Sequence, residues 1–239
     1  MCTMLQAALN GTLTKADHAA VPVTLGELVD DALACFAAGA RSFHIHPRDA
    51  RGRERLYPFI VDTVVAAVRA GNGCPVSVTT GAWIEPGVAR RVALVSHWTE
   101  PDSATVNLSE DGSLEVIAAL LKAGVGVEAG VWTVADAEML VGSGLADRML
   151  TIYIEPLEVP AADAVGLVDA IHAVLDRGGV RTPRLQHGDG DATWPLIEDA
   201  IARGISTRVG FEDTLLLPDG TVARSNADLV RVARELGAG

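Results

Sequence analysis

VGVEAGVWTVADAEMLVGSG, residues 125–144, decides the fold. Val125–Trp132 is a short apolar run, which reads as a strand; from Val134 to Ser143 the apolar residues take helical spacing, and Gly144 supplies the left-handed stop. The same switch recurs along the whole chain. Strands are expected at Met4–Asn10, Arg41–His46, Pro75–Thr80, Ala104–Ser109, Val125–Trp132, Met149–Glu155, Arg184–His187 and Ser206–Phe211. Helices are expected at Leu25–Ala38, Pro58–Ala70, Pro86–Trp98, Leu114–Ala123, Val134–Ser143, Ala161–Arg177, Trp194–Arg203 and Asn226–Leu236. Gly39, Gly71, Gly124, Gly144 and Gly204 read as helix C-caps, and Ser225 to Asp228 as a capping box. Eight strand–helix units in 239 residues leave about 30 residues for each, the size of a βα repeat with short loops. The expected fold is an α/β (β/α)8 TIM barrel, with residues 1–239 as one domain. A doubly wound sheet would also alternate, but Asn10-Gly11-Thr12-Leu13-Thr14 has one glycine where a dinucleotide loop needs three.

The composition narrows the function classes. Hydrophobic residues are 49% and charged residues 21%, which excludes disordered and fibrous chains. The net charge of −12 would repel a phosphate backbone, so no nucleic-acid partner is expected. The start, MCTMLQAALNGTLTK, has no basic region ahead of an apolar stretch, and no apolar run reaches the roughly 18 residues of a membrane span. Cys2, Cys35 and Cys74 form no CxxC pair and no disulfide framework. No membrane partner and a cytoplasmic location are therefore expected. Lys15 and Lys122 are the only lysines among 19 basic residues, so Schiff-base catalysis has few candidates.

In a barrel the chemistry sits at the C-terminal ends of the strands. The second strand ends Phe43-His44-Ile45-His46-Pro47-Arg48-Asp49, and its period of two turns His44 and His46 the same way. They read either as two nitrogen ligands for one metal or as a hydrogen-bonded pair packed in the barrel mouth. The eighth strand, Arg208-Val209-Gly210-Phe211-Glu212-Asp213, places Glu212 at the parity of Arg208, beside the first two strands. Two His and a Glu match a catalytic zinc pattern with an open fourth position; the alternative is an ion pair of Arg208 with Glu212 or Asp213. Asp213, of opposite parity, is expected beside the metal. Arg48, close to the histidines, is a candidate for substrate contact, and the Arg48, Arg51, Arg53 and Arg55 loop reads as solvated or as a phosphate-binding cluster. His187 reads as a pocket or a structural residue, His18 as within possible reach of the site, and His97 and His172 as helix-surface histidines. Tyr57, Trp98, Trp132 and Trp194 read as packing anchors, and Trp83 as a residue of the mouth.

HIHPRDARGRERL (44–56), VTTGAW (78–83), VNLS (106–109) and RVGFEDTLLLPDGTVARSNADLV (208–230) resemble the β-keto acid cleavage enzymes over nearly the whole chain. The resemblance implies a (β/α)8 barrel, usually a homotetramer, with one zinc per subunit. It also implies a reaction between a β-keto acid and acetyl-CoA that yields acetoacetate and a new CoA thioester. Carried over by position, it makes His44, His46 and Glu212 the zinc ligands and Arg208 with Asp213 the proton-abstracting dyad. Thr79, Thr80 and Gly81 would grip the carboxylate, and Asn107 would line the pocket. The chain departs from longer members in its first loop, in its trimmed length and on strand five. There Glu128-Ala129-Gly130 stands for a Glu-x-Glu, leaving Glu128 as the remaining candidate dyad partner. The shortage of lysine agrees with a metal as the electrophile. A CoA-independent metal-dependent hydrolase or lyase would use the same residues, and a barrel that binds small molecules without catalysis is the third reading.

Overall fold

The computed structural model describes residues 3–239, so Cys2 lies outside the described residues. Eight parallel strands close into a barrel in chain order: β1 Leu5–Ala8, β2 Ser42–Ile45, β3 Val76–Thr79, β4 Ser103–Asn107, β5 Gly126–Val131, β6 Thr151–Ile154, β7 Arg184–Gln186 and β8 Ser206–Val209. The helices between and after them are α1 Leu25–Ala38, α2 Pro58–Asn72, α3 Val88–Val95, α4 Ser113–Ala123, α5 Val134–Ser143, α6 Ala161–Arg177, α7 Thr193–Arg203 and α8 Asn226–Leu236. This is a (β/α)8 TIM barrel. No helix among the described residues is long and apolar enough to cross a membrane.

Local chemistry explains the helix bounds. Thr24 with Glu27, and Thr133 with Asp136, close reciprocal capping boxes that start α1 and α5. Gly124, Gly144 and Gly204 end their helices in the left-handed conformation. Gly71 does not: α2 runs two residues further than expected, to Asn72, and Gly73 at φ 71° is the cap. At α8 only half of the expected box forms. Ser225 accepts from the Asp228 amide, while the Asp228 carboxylate turns to Arg224 and Arg231.

Between strands and helices the core is apolar and includes Phe43, Ile45, Leu120, Ile152 and Leu196. The lumen instead carries a polar, hydrogen-bonded set. Gln6 donates to the Ser42 hydroxyl and accepts from Tyr153, while Ser77 and Ser103 donate to Glu128. Each of these side chains has a partner in the set, as burial of polar groups requires.

The SNA segment is structural. Asn226, fully buried, accepts from the Phe211 amide at 2.6 Å and donates to the Leu9 carbonyl at 2.7 Å, stapling the β8 turn to the end of β1. Asn226→Ala leaves both backbone groups without that partner, so a loss of about 2–4 kcal/mol is expected in denaturant titration. A loss below ~0.5 kcal/mol would exclude the staple.

Candidate metal centre and catalytic cavity

β2 delivers His44, and His46, which directly follows the last residue of the strand, to the same side, with ring centroids 5.3 Å apart and near-perpendicular planes. Asn10 fixes the second of these by accepting from the His46 amide at 2.9 Å and donating to its carbonyl at 3.1 Å. Each Nε2 lies 3.6 Å from a Glu212 carboxylate oxygen, too far for a good hydrogen bond. One ligand atom from each of the three residues lies within 4.8 Å of the others. Both Nδ1 atoms are already engaged, His46 by Glu54 Oε1 at 2.6 Å and His44 by Ser77 Oγ at 3.2 Å. Such outer partners orient ligating imidazoles and leave Nε2 free for a cation. Glu212 Oε2 is buried and has no hydrogen-bond partner. This donor set fits a divalent metal with two nitrogens, one oxygen and an open side.

The electrostatics agree. Burial pulls the His44 imidazole down to about 3, with Glu212 opposing the shift and Arg208 and His46 reinforcing it. Burial acts on His46 too, but there Glu212 and Glu54 outweigh it and lift the ring to about 9. Burial also raises the Glu212 carboxyl, yet Arg208 and the two histidines overcome it and hold the group well below the usual carboxylate range. A cation bound here would compete with the His46 proton, so its affinity should rise with pH.

Glu212 and Asp213 reach the site by a turn, not by strand alternation. β8 stops at Val209, earlier than expected, and Asp213 and Thr214 both donate to the Gly210 carbonyl, at 2.9 and 3.0 Å. The turn lets neighbours of opposite parity face one cavity. Arg208 donates to Asp213 Oδ1 from Nε at 3.1 Å and Nη2 at 2.7 Å, and to Glu212 Oε1 at 2.9 Å. Asp213 Oδ2 is buried without a partner. Burial raises the Asp213 carboxyl, against the pull of Arg208 and His187, which makes it a stronger base than a solvated aspartate.

A cavity of about 230 Å³ opens over these groups, lined also by Thr12, Thr79, Trp83, Thr105, Asn107 and Trp132. The remaining candidates lie elsewhere or do other work. Thr79 lines the cavity, but Thr80 donates to the Thr105 carbonyl at 2.7 Å, and Trp83 covers Gly81. Arg48 is not part of the lining; it donates to the Gly11 and Leu13 carbonyls at 2.8 and 2.6 Å, tying the first loop down. Arg53 and Arg55 pair with Asp49. Glu128 lies outside the cavity lining and is linked to the candidate metal site through Ser77 and His44.

His18 packs on Phe211, and His172, expected at the surface, is buried between Gln186 and Arg184. The β7 loop braces Asp213: the Gly190 amide and Thr193 hydroxyl donate to its carbonyl at 2.8 and 3.2 Å.

Four side chains at the site are not among its sequence candidates, although Thr105, Trp132 and Glu155 continue the alternation of their strands. Glu54 sits in the hairpin after β2 and orients His46; Thr105 shares the parity of Asn107 on β4. Trp132, expected as a packing anchor, lines the cavity and donates to Glu155 Oε1 at 3.0 Å. Glu155 follows the last residue of β6, the position where barrels keep chemistry, and that position was an available signal.

Comparison with known proteins follows the same line. The chain is 25% identical to the 3-keto-5-aminohexanoate cleavage enzyme of Acetoanaerobium sticklandii, over 98% of this chain and 92% of that protein. Its fold matches apo ObcA with a TM-score of 0.73 and a ternary complex of ObcA with a C4-CoA adduct and oxalate with 0.72, at 16% and 17% identity. Each alignment covers 90% of this chain, which spans only about three-fifths of the ObcA length (61% and 63%). A type I 3-dehydroquinate dehydratase from Clostridium difficile shares the barrel at 12% identity, with a TM-score of 0.66, over 98% of this chain and 92% of that one. The sequence model of the β-keto acid cleavage enzymes matches residues 3–238, essentially every described residue, and this chain belongs to that family.

Proposed function

We propose that the protein is a zinc-dependent acyltransferase that cleaves a β-keto acid with acetyl-CoA, giving acetoacetate and a CoA thioester. One observation carries the reading: three converging ligand atoms stand beside a buried carboxylate, Asp213, which lines the same cavity and whose Oδ2 has no hydrogen-bond partner. His44, His46 and Glu212 would hold the zinc, which when bound would supply a Lewis acid for the keto and carboxylate oxygens of the substrate.

The chain's own groups do the rest. Asp213 takes the α-proton on Oδ2 while Arg208 holds Oδ1 in place. Thr79, Thr105 and Asn107 offer hydroxyl and amide groups to the substrate carboxylate from the β3 and β4 side. Trp83, stacked on His46 with centroids 6.0 Å apart, walls the mouth. Arg208 is the only Arg or Lys in the lining, against Glu155, Glu158, Asp189, Glu212 and Asp213, so a second carboxylate on the substrate side chain has no cation to meet it.

Metal analysis together with a panel of β-keto acids tests this. Stoichiometric zinc and acetyl-CoA-dependent acetoacetate release are expected, with dicarboxylic keto acids turned over least. Cleavage at an unchanged rate without acetyl-CoA would replace the reading by a CoA-independent lyase or hydrolase.

A further inference from the structure

Glu155 and His187 take no part in the mechanism above, yet they form a built unit behind its base. His187, 1% exposed, follows β7 and puts Nε2 2.8 Å from Glu155 Oε2. On its other side Nδ1 faces the Gly188 carbonyl at 3.4 Å and Asp213 Oδ1 at 3.6 Å. Every polar atom around the ring is an acceptor. Nε2 and Glu155 Oε2 stand at hydrogen-bond distance, which fixes the ring with Nδ1 turned toward the Gly188 carbonyl and Asp213. The 3.6 Å separation is longer than a good hydrogen bond, so the ring acts on Asp213 by its place beside Oδ1.

Glu155 is fixed with equal care. Trp132 Nε1 donates to its Oε1 at 3.0 Å, and the carboxylate lies against the bare α-carbon of Gly130. A Cβ at position 130 would come within 2.7 Å of Asn107 Oδ1 and closer still to Glu155 Oε1, so the side chain reaches its place because β5 has a glycine there. A chain of contacts thus runs from Trp132 through Glu155 and His187 to Asp213, across the ends of β5 to β8. The Tyr153 and His187 rings stand nearly perpendicular, with centroids 6.2 Å apart.

We infer that Glu155 and His187 are a positioning pair for Asp213: Glu155 orients the imidazole, and the imidazole, with Arg208, keeps Oδ1 turned away from the substrate and Oδ2 toward it. Arg208 alone is a weaker constraint, because its Nη2 is shared with Glu212. With the imidazole gone, the Asp213 carboxylate can rotate and spend time with its free oxygen misdirected, a fault that slows the chemical step and leaves substrate binding untouched.

The inference rests on Asp213 being the base, so the experiment reads both in one assay. Solvent-deuterium exchange at the α-carbon of the keto acid is followed on the zinc-loaded enzyme, together with kcat, KM and metal content. Asp213→Asn must abolish the exchange; if exchange survives at the wild-type rate, the base assignment fails, whatever His187 does. Given that control, His187→Ala is expected to lose about 10- to 100-fold in exchange and kcat at unchanged KM and zinc, with partial recovery in added imidazole. Glu155→Gln, which keeps the shape and an acceptor oxygen, should lose less than Glu155→Ala. Exchange within twofold of wild type in His187→Ala, or a loss carried wholly by KM, overturns the pair's role. So does a His187→Ala loss that imidazole leaves unchanged while Glu155→Ala is silent.

Discussion

Asp213→Asn is expected to purify with its metal and to turn over about 10² to 10⁴ times more slowly, the usual worth of a general base. The amide is isosteric and still accepts from Arg208 through one oxygen, so the geometry survives while the unpartnered carboxylate oxygen is replaced by an amide group with almost no basicity. Glu212→Ala should do the reverse: it removes one of three ligand atoms within 4.8 Å, and a three-ligand site loses a third of its protein donors outright. Metal content by elemental analysis, beside kcat, separates the two residues, although they are sequence neighbours and share Arg208. If Asp213→Asn emptied the site, or kept near-normal turnover with metal bound, the Arg208 to Asp213 contact would be a structural ion pair and nothing more.

Gly210→Ala should be nearly as damaging, for a reason unrelated to proton transfer. A Cβ at 210 would fall far inside contact distance of the Ala8 carbonyl oxygen and 2.6 Å from the Ala8 carbonyl carbon, and neither is a flexible side chain that can swing aside. Relief requires β8 to part from β1 where Glu212 donates to the Ala8 carbonyl at 3.3 Å. A loss of about 3 kcal/mol is expected, a fall of roughly 6 to 12 °C in Tm for a chain of this size. Because Glu212 and Asp213 hang from this turn, displacement by ~1 Å should also cost about 10²-fold in turnover in the protein that remains folded. Thermal unfolding and kcat measured on the same preparation check both; a variant with wild-type Tm would mean that the strands part freely there.

How much was legible beforehand differs from element to element. α1, α5, α6 and α8 match the sequence reading to the residue; for α1 and α5 the start is written locally, in Thr24 with Glu27 and Thr133 with Asp136. The strands came out shorter than their apolar runs. A strand ends where its neighbour stops pairing, and Val209 stops because Gly210 runs flush against β1. His44 and His46 were readable from a period of two, and Glu212 was placed at the right address for a reason that did not apply, since a turn carries it there. The pairing of Glu128 with Ser77 and Ser103, the use of Arg48 as a loop tie, and the contacts that join Trp132, Glu155 and His187 had no local signature. By itself the sequence determined the count of βα units and the residue types available for metal and proton chemistry, because periodicity and caps depend on neighbours within about a turn of backbone. Closure of the barrel decided which of those side chains meet, because Glu155 and Asp213 are brought to His187 by strands and turns that share no local sequence with it.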